Sequence, residues 1–119
     1  MIEMVKINEL KPYMKKVDIE GKIIGKNEIR EVTSKLDNSS HKVTEVLIGD
    51  DSGCVLLTLW DDAIEQVEEG KSYKVVNGYT STFKNSLRMN VGRYGELSDG
   101  GEIAEVNSEN NISEKEITG

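Results

Sequence analysis

An all-β fold, a small five-stranded barrel, is what this sequence predicts, on three observations. Five short segments alternate apolar and polar residues with a period of two. The first is long and carries glycines at 21 and 25 in its interior, where a strand shared between two parts of a closing barrel must bend. One short helical stretch interrupts the series, between the third and fourth segments.

In the first strand Val17, Ile19, Gly21 and Ile23 take one face and Asp18, Glu20, Lys22 and Ile24 the other, and the segment extends to about Val32. Residues 34–40 read as a polar loop. The second strand runs through Thr44, Val46 and Ile48 and ends at the turn Asp50-Asp51-Ser52-Gly53. In the third, Val55, Leu57 and Leu59 form an aliphatic row, so Leu56, Thr58 and Trp60 face the other way. The chain's single Trp thus lies on the side away from the core.

The run DDAIEQVEEG, residues 61–70, starts with Asp, spaces Ala63, Ile64 and Val67 at near-helical intervals and ends with Gly, as a short capped helical link does. The fourth strand covers about 71–81, with Tyr73 and Val75 in one phase. A bulge is expected at Asn77-Gly78, which leaves the phase of Tyr79 open. Residues 80–85 read as a polar hairpin loop carrying Phe83 and Lys84. The fifth strand turns Leu87, Met89 and Val91 inward and Arg88 and Asn90 outward.

Five strands with one helical link between strands 3 and 4 suit the OB-fold barrel, a scaffold that commonly binds oligonucleotides or oligosaccharides. An SH3-like barrel is the competing geometry, and its usual pattern lacks that link.

Length and charge sharpen the reading. At 119 residues the chain is expected to form one domain, and its single Cys rules out a disulfide framework within it. The start MIEMVKINEL lacks a signal peptide's apolar stretch and the apolar runs are only a few residues long, so a cytoplasmic location without membrane contact is expected. The net charge of −7 is unevenly spread. Residues 1–95 hold 14 Lys and Arg against 15 Asp and Glu, whereas residues 96–119 hold 1 against 7. The second stretch is rich in Gly, Ser, Asn and Glu, so the expected division is an OB-fold domain over 1–95 and a flexible acidic tail over 96–119.

Catalytic readings find little support. His41 lies in or beside a polar loop as a solvated residue, and Cys54, alone, builds no zinc cluster. The pairs Asp50-Asp51 and Asp61-Asp62 suggest a metal-dependent nuclease, but the turn and the start of the helical link account for them. No phosphate loop or dinucleotide fingerprint is present. We expect no catalytic residue, no metal and no cofactor.

A resemblance adds to this. The stretches Ile48–Gly53, Leu57–Asp62, Glu69–Lys71, Asn77–Lys84 and Asn90–Arg93, with Leu10-Lys11-Pro12 and the strand from Asp18 to Lys22, look like archaeal single-stranded DNA-binding proteins. The chain resembles both their single-OB type, shared with eukaryotic single-OB subunits of damage-sensing complexes, and the OB domains of archaeal replication protein A. The resemblance spans about residues 7–97 and implies that Trp60, Tyr79 and Phe83 form a base-stacking platform. Where some eukaryotic relatives carry a further aromatic, this chain has Asn90, which implies that this stacking site is absent or replaced by hydrogen bonding. Many crenarchaeal relatives carry a basic residue at the position of Leu56 and a basic, Gly-rich tail, so a weaker electrostatic grip is implied here. In the eukaryotic relatives the region after the barrel docks a scaffold protein, and Gly101-Glu102 falls near there.

The chemistry also stands without the family. Every base has a π-face, so exposed aromatics hold bases in a sequence-tolerant way while Lys and Arg follow the phosphates. Lys22, Lys84 and Arg88, outward beside the platform, are the phosphate candidates, ahead of Lys26, Lys74 and Arg93. The bland reading makes Trp60 a residue half-buried under the helical link, and Tyr13, Tyr73 and Tyr94 are assigned to packing.

The expected function is non-catalytic binding of single-stranded DNA, with low sequence specificity, by a monomer acting in replication, recombination or repair. RNA binding is a near alternative, since nothing in the sequence indicates a check on the 2′-hydroxyl. The competing class is a protein-interaction OB domain that uses the same aromatic face. The acidic segment 95–117 is expected to meet protein partners or to fold back over the groove as a nucleic-acid mimic.

Overall fold

A computed structural model describes residues 4–114. After a 3-10 turn at Ile7–Glu9 come β1 (Lys15–Lys26), β2 (Arg30–Thr33), β3 (Ser40–Asp50), β4 (Gly53–Trp60), α1 (Asp62–Gln66), β5 (Ser72–Phe83), β6 (Ser86–Asn90) and β7 (Glu96–Asp99). β1 pairs antiparallel with both β3 and β5, β3 with β4, and β5 with β6. A short parallel contact of β4 with β6 closes the ring. Those five strands are the expected barrel, with the helical link between its third and fourth strands, and the fold is the OB fold. β2 and β7 are short additions that extend β3 and β5.

Inside the barrel lie the residues whose alternation predicted it. Ile19, Ile23, Val46, Ile48, Val55, Leu57, Leu59, Val75 and Met89 are fully buried in one cluster. Each such aliphatic side chain contributes about 1.5–3 kcal/mol through burial. α1 and the residue that follows it bury Ile64 and Val67 in the same cluster. Lys26, named as a phosphate candidate, instead donates from Nζ to the carbonyls of Ile64 (3.3 Å) and Val67 (3.0 Å) and so ties off that link.

Of the two glycine-marked bends expected in β1, one is a register slip, between Ile23 and Gly25. At Gly21 the ladders stay in register, and glycine serves a close approach instead: a Cβ there would come within 2.6 Å of Ile48 Cγ1 on β3. The first strand stops at Lys26 rather than reaching Val32, and Arg30–Thr33 form a separate hairpin arm with β3.

Opposite β1, the step from Val17↔Gly78 to Ile19↔Val75 shows the bulge of β5, at whose centre Asn77 has φ +57°. The extra residue reverses the alternation: Tyr73 and Val75 point inward before it, Gly78 and Thr80 after it, and Tyr79 therefore points out. β5 then continues to Phe83, so the expected six-residue loop shrinks to Lys84 and Asn85. Both have positive φ, 51° and 63°, as a tight two-residue hairpin turn demands.

The largest departure is the C-terminal segment. The boundary expected at residue 95 does not separate a barrel from a flexible tail, because Glu96–Asp99 form β7 on β5 and residues 106–113 pack along β4. Cys54 N–H donates to the Asn110 carbonyl and Ile112 N–H to the Cys54 carbonyl, at 3.0 and 2.9 Å, and Ile112 and Ser113 are buried. The apolar Val106 and Ile112 fill two separate gaps, one against Gly49 and one in the core cluster. Cys54 is buried beneath this segment. The end of the acidic stretch, 115–119, lies outside the described residues.

Candidate nucleic-acid interface

The outward faces of β3, β4, β5 and β6 meet in one groove because their pairing sets residues in rows. Glu45 lies opposite Thr58, Thr58 beside Asn90, and Asn90 opposite Tyr79. Flanking rows bring Val43 opposite Trp60 and Ser81 opposite Arg88. β2 supplies Arg30, Glu31 and Val32 as a further wall, and the groove encloses about 510 Å³. Beyond Trp60 and Tyr79 it continues for about 330 Å³, past Asn90 to Gly92 and Arg93.

Trp60, Tyr79 and Phe83 all line this groove and are 50%, 43% and 50% exposed. That degree of exposure excludes a core role for any of them, yet each ring is anchored at its base by a paired strand. The phase of Trp60 follows from the uninterrupted alternation of β4, that of Tyr79 from the bulge, and Phe83 is held at the last rung of β5. Asn90 sits between them, its amide donating to Ser81 Oγ at 2.9 Å and to the Tyr79 carbonyl at 3.4 Å.

The basic candidates separate into three groups. Lys84 stands in the exposed turn with Nζ 5.4 Å from the centre of the Phe83 ring. Arg88 lines the groove but is not a loose phosphate hook. Its guanidinium also lies 5.4 Å from the Phe83 ring centre, donates from Nε to Ser86 Oγ (3.1 Å) and faces Glu45 at 3.5 Å. Lys22 is not beside the platform: it lines a different groove, with Ser72, Asp99 and Gly100, because the outer face of β1 turns away from β4 and β6. Lys74 faces Glu20 and Ser98 across the β1–β5–β7 ladder, also away from the aromatics, whereas Arg93 lines the extension and lies over Tyr94.

Arg30 and Glu45 were not singled out in the sequence. Glu45 precedes the inward Val46 and follows the inward Thr44, so its outward phase was readable, whereas nothing in the sequence marks Arg30, which reaches the groove only because β2 folds back on β3.

Next to Trp60, the expected capping role of Asp61 is replaced by another. Asp61 has φ +50° and gives α1 no side-chain cap; its carboxylate accepts from Lys42 N–H and from His41 Nδ1, each at 2.9 Å. Those bonds, the Lys42 backbone N–H first and then His41, hold the Asp61 carboxyl below its ordinary value. His41, expected to be merely solvated, thereby ties the start of β3 to the end of β4, and it also bonds Ser39 Oγ at 2.8 Å. The other acidic pair is likewise structural. Asp50 accepts from Ile7 N–H (3.1 Å) and Ser52 N–H (2.8 Å), and Asp51 pairs with Lys6 at 2.6 Å.

Three tyrosines assigned to packing divide. Tyr73 is buried, its hydroxyl accepting from Glu68 N–H at 2.7 Å, but Tyr13 and Tyr94 are largely exposed and join no core. Among its described residues, to 114, the acidic segment does fold back, though not over the aromatics: residues 102–105 line a separate hollow with Lys6, Glu20 and Asp51.

The family described as single-stranded DNA binding protein Ssb-like, OB fold, matches residues 10–99. The Saccharolobus solfataricus single-stranded DNA binding protein Ssb is 30% identical over 97 residues, which cover 82% of this chain and 64% of that protein. The chain therefore spans just under two thirds of the length of that relative. An Arabidopsis thaliana protein known by solution structure superposes with TM-score 0.81 at 27% identity, covering all of this chain and 88% of its own. The second OB-fold domain of replication protein A from Methanococcus maripaludis shares the fold, with TM-score 0.67 at 22% identity over 87% of this chain and all of that domain. With three quarters of its length matched by the family, this chain belongs to the Ssb-like single-stranded DNA binding proteins of the OB fold.

Proposed function

We propose that this chain binds single-stranded DNA without catalysis and with low sequence specificity, stacking bases on Trp60, Tyr79 and Phe83. The observation that carries the reading is the gathering of three half-exposed rings from two different strands into one groove. Stacking is worth about 1–3 kcal/mol per base, so three contacts supply roughly 3–9 kcal/mol before ordering costs, against about 8 kcal/mol for micromolar affinity. Lys84, Arg30, Arg88 and Arg93 supply the cationic side chains around the rings, and Asn90 a hydrogen-bonding group between them. The cellular role that follows is to coat single strands exposed in replication, recombination or repair, as a monomer in the cytoplasm.

The test is a fluorescence titration with oligo-dT, oligo-U and duplex DNA. Trp60 is the chain's single Trp, so its quenching reports directly on the proposed platform. Quenching and tight binding by oligo-dT, with duplex DNA much weaker, is the expected outcome. Absence of binding to oligo-dT at low salt would overturn the reading and leave the aromatic face to a protein partner.

A further inference from the structure

We infer that Glu45, an acidic residue in the wall of the groove, strengthens single-stranded DNA binding by positioning Arg30 and Arg88; this rests on the single-stranded DNA reading above. A carboxylate facing a site for a polyanion is unfavourable by simple Coulomb repulsion, and burying it adds a desolvation cost. Glu45 is nevertheless only 9% exposed, on the same ladder row as Thr58, Asn90 and Tyr79. Its two oxygens are divided between two guanidiniums: Oε2 accepts from Arg30 Nη2 at 2.5 Å and Oε1 faces Arg88 Nη1 at 3.5 Å.

Stability of the barrel is a poor explanation, since a buried ion pair adds little net stability. Position is a better one. All four side chains of β2 are exposed, so beyond its ladder with β3, and the bonds that Thr44 and Glu45 make to Asn27 and Glu28 just before it, the Arg30–Glu45 contact is the side-chain tie that draws this strand toward the groove. Arg88 is fixed on three sides, by Glu45, by Ser86 Oγ and by the Phe83 ring. An arginine has five N–H donors, and these contacts leave each guanidinium with donors to spare for a phosphate or a base edge. The two guanidiniums offset the carboxylates of Glu45 and Glu31 in this wall. Without the carboxylate the two guanidiniums repel, Arg30 moves out toward solvent, and the ordering cost of both falls on DNA binding.

The sign of the effect separates this inference from simple electrostatics. Glu45→Gln removes a negative charge from the groove, which alone would tighten binding to a polyanion. Positioning instead predicts at least five-fold weaker binding to labelled oligo-dT, and a salt dependence shallower by about one unit of log K against log salt as one phosphate contact is lost. Equal or tighter binding by E45Q overturns the inference. Arg30→Gln, on an exposed strand, serves as the second variant if E45Q fails to fold, judged by its melting curve. R30Q is expected to show the same weakening and shallower slope, and unchanged affinity and slope in R30Q also overturn it. The wild-type titration run alongside tells the two levels apart: no binding of oligo-dT by the wild type removes the function itself, whereas wild-type binding with an unaffected E45Q removes only the role of Glu45.

Discussion

The ring of Tyr79 rests against the backbone of Gly92: a Cβ at position 92 would come within 3.0 Å of both Cδ1 and Cε1 of that ring, and Gly92 has φ +81°. The chain leaves β6 through this residue, so the exit of one strand sets the pose of an aromatic on its neighbour. Gly92→Val is therefore expected to act twice, adding backbone strain of about 1–2 kcal/mol and pushing the Tyr79 ring off its seat. Oligo-dT affinity should fall about as far as in Tyr79→Ala, by about 1–3 kcal/mol. A titration in which Gly92→Val binds like the wild type would show that the seat is not needed.

Trp60 and Phe83 differ from core aromatics in what their removal should cost. Each is half exposed, so Trp60→Ala and Phe83→Ala should change folding stability by no more than about 1 kcal/mol while lowering oligo-dT affinity by about 1–3 kcal/mol. In Phe83→Ala the Trp60 signal survives, and quenching at saturation should persist although saturation needs more DNA. Chemical denaturation beside the titration checks both halves. A large loss of stability with unchanged affinity would make these rings structural.

Both stacking strands are partly legible in the sequence, and the reasons are local. β4 alternates without interruption, so the outward phase of Trp60 and Thr58 could be read directly. In β5 the Asn77-Gly78 pair announced a bulge but not its effect on phase, because which residue is extra depends on the β1 partner, and that pairing is long-range. Gly78 shows why glycine stands there: a Cβ would meet the Asn90 carbonyl oxygen at 2.5 Å and Met89 Cε at 2.6 Å. Lys22 was misplaced for a similar reason, since strand phase says in or out but not which outer face of a closed barrel. The acidic stretch misled most. Its composition reads as disordered, yet it is held largely by backbone hydrogen bonds and by single apolar contacts at Val106 and Ile112, which leave no periodic mark.

Acid sensitivity should come from three surface aspartates and Glu68. Asp61 is held down by the Lys42 N–H and His41, Asp51 by Lys6 and Asp37 by Ser39, each below the ordinary 3.8, and Glu68 by Lys71 below the ordinary 4.5. A carboxyl whose folded pKa lies below its unfolded value stabilises the fold above that unfolded value and loses the contribution as pH falls through the folded one. The melting temperature should therefore hold from neutral pH down to about pH 4 and decline below it. Asp61→Asn should start lower at neutral pH and decline less steeply in that acid window. Parallel melting curves for the two proteins would refute the assignment for Asp61.

Ser113 fills the place where β4 and β6 diverge beyond their short parallel contact. Its Oγ accepts from the Leu56 N–H at 2.8 Å and donates to the Leu87 carbonyl, so one hydroxyl bridges the two strands where the ladder lacks a rung. Ser113→Ala leaves a buried donor and acceptor unpaired, at a cost of about 1–3 kcal/mol. That loss falls on the segment covering Cys54, whose thiol burial pushes up and makes less reactive. The chain's single thiol is thus a built-in probe. Labelling of Cys54 by a maleimide reagent should be slow in the wild type and about tenfold or more faster in Ser113→Ala, since 1.4 kcal/mol of local opening corresponds to tenfold. Oligo-dT affinity should stay unchanged, because no residue of 96–114 lines the aromatic groove or its extension. Equal labelling rates would mean that the segment does not seal the barrel, and altered DNA affinity would mean that the seam between β4 and β6 helps set the platform.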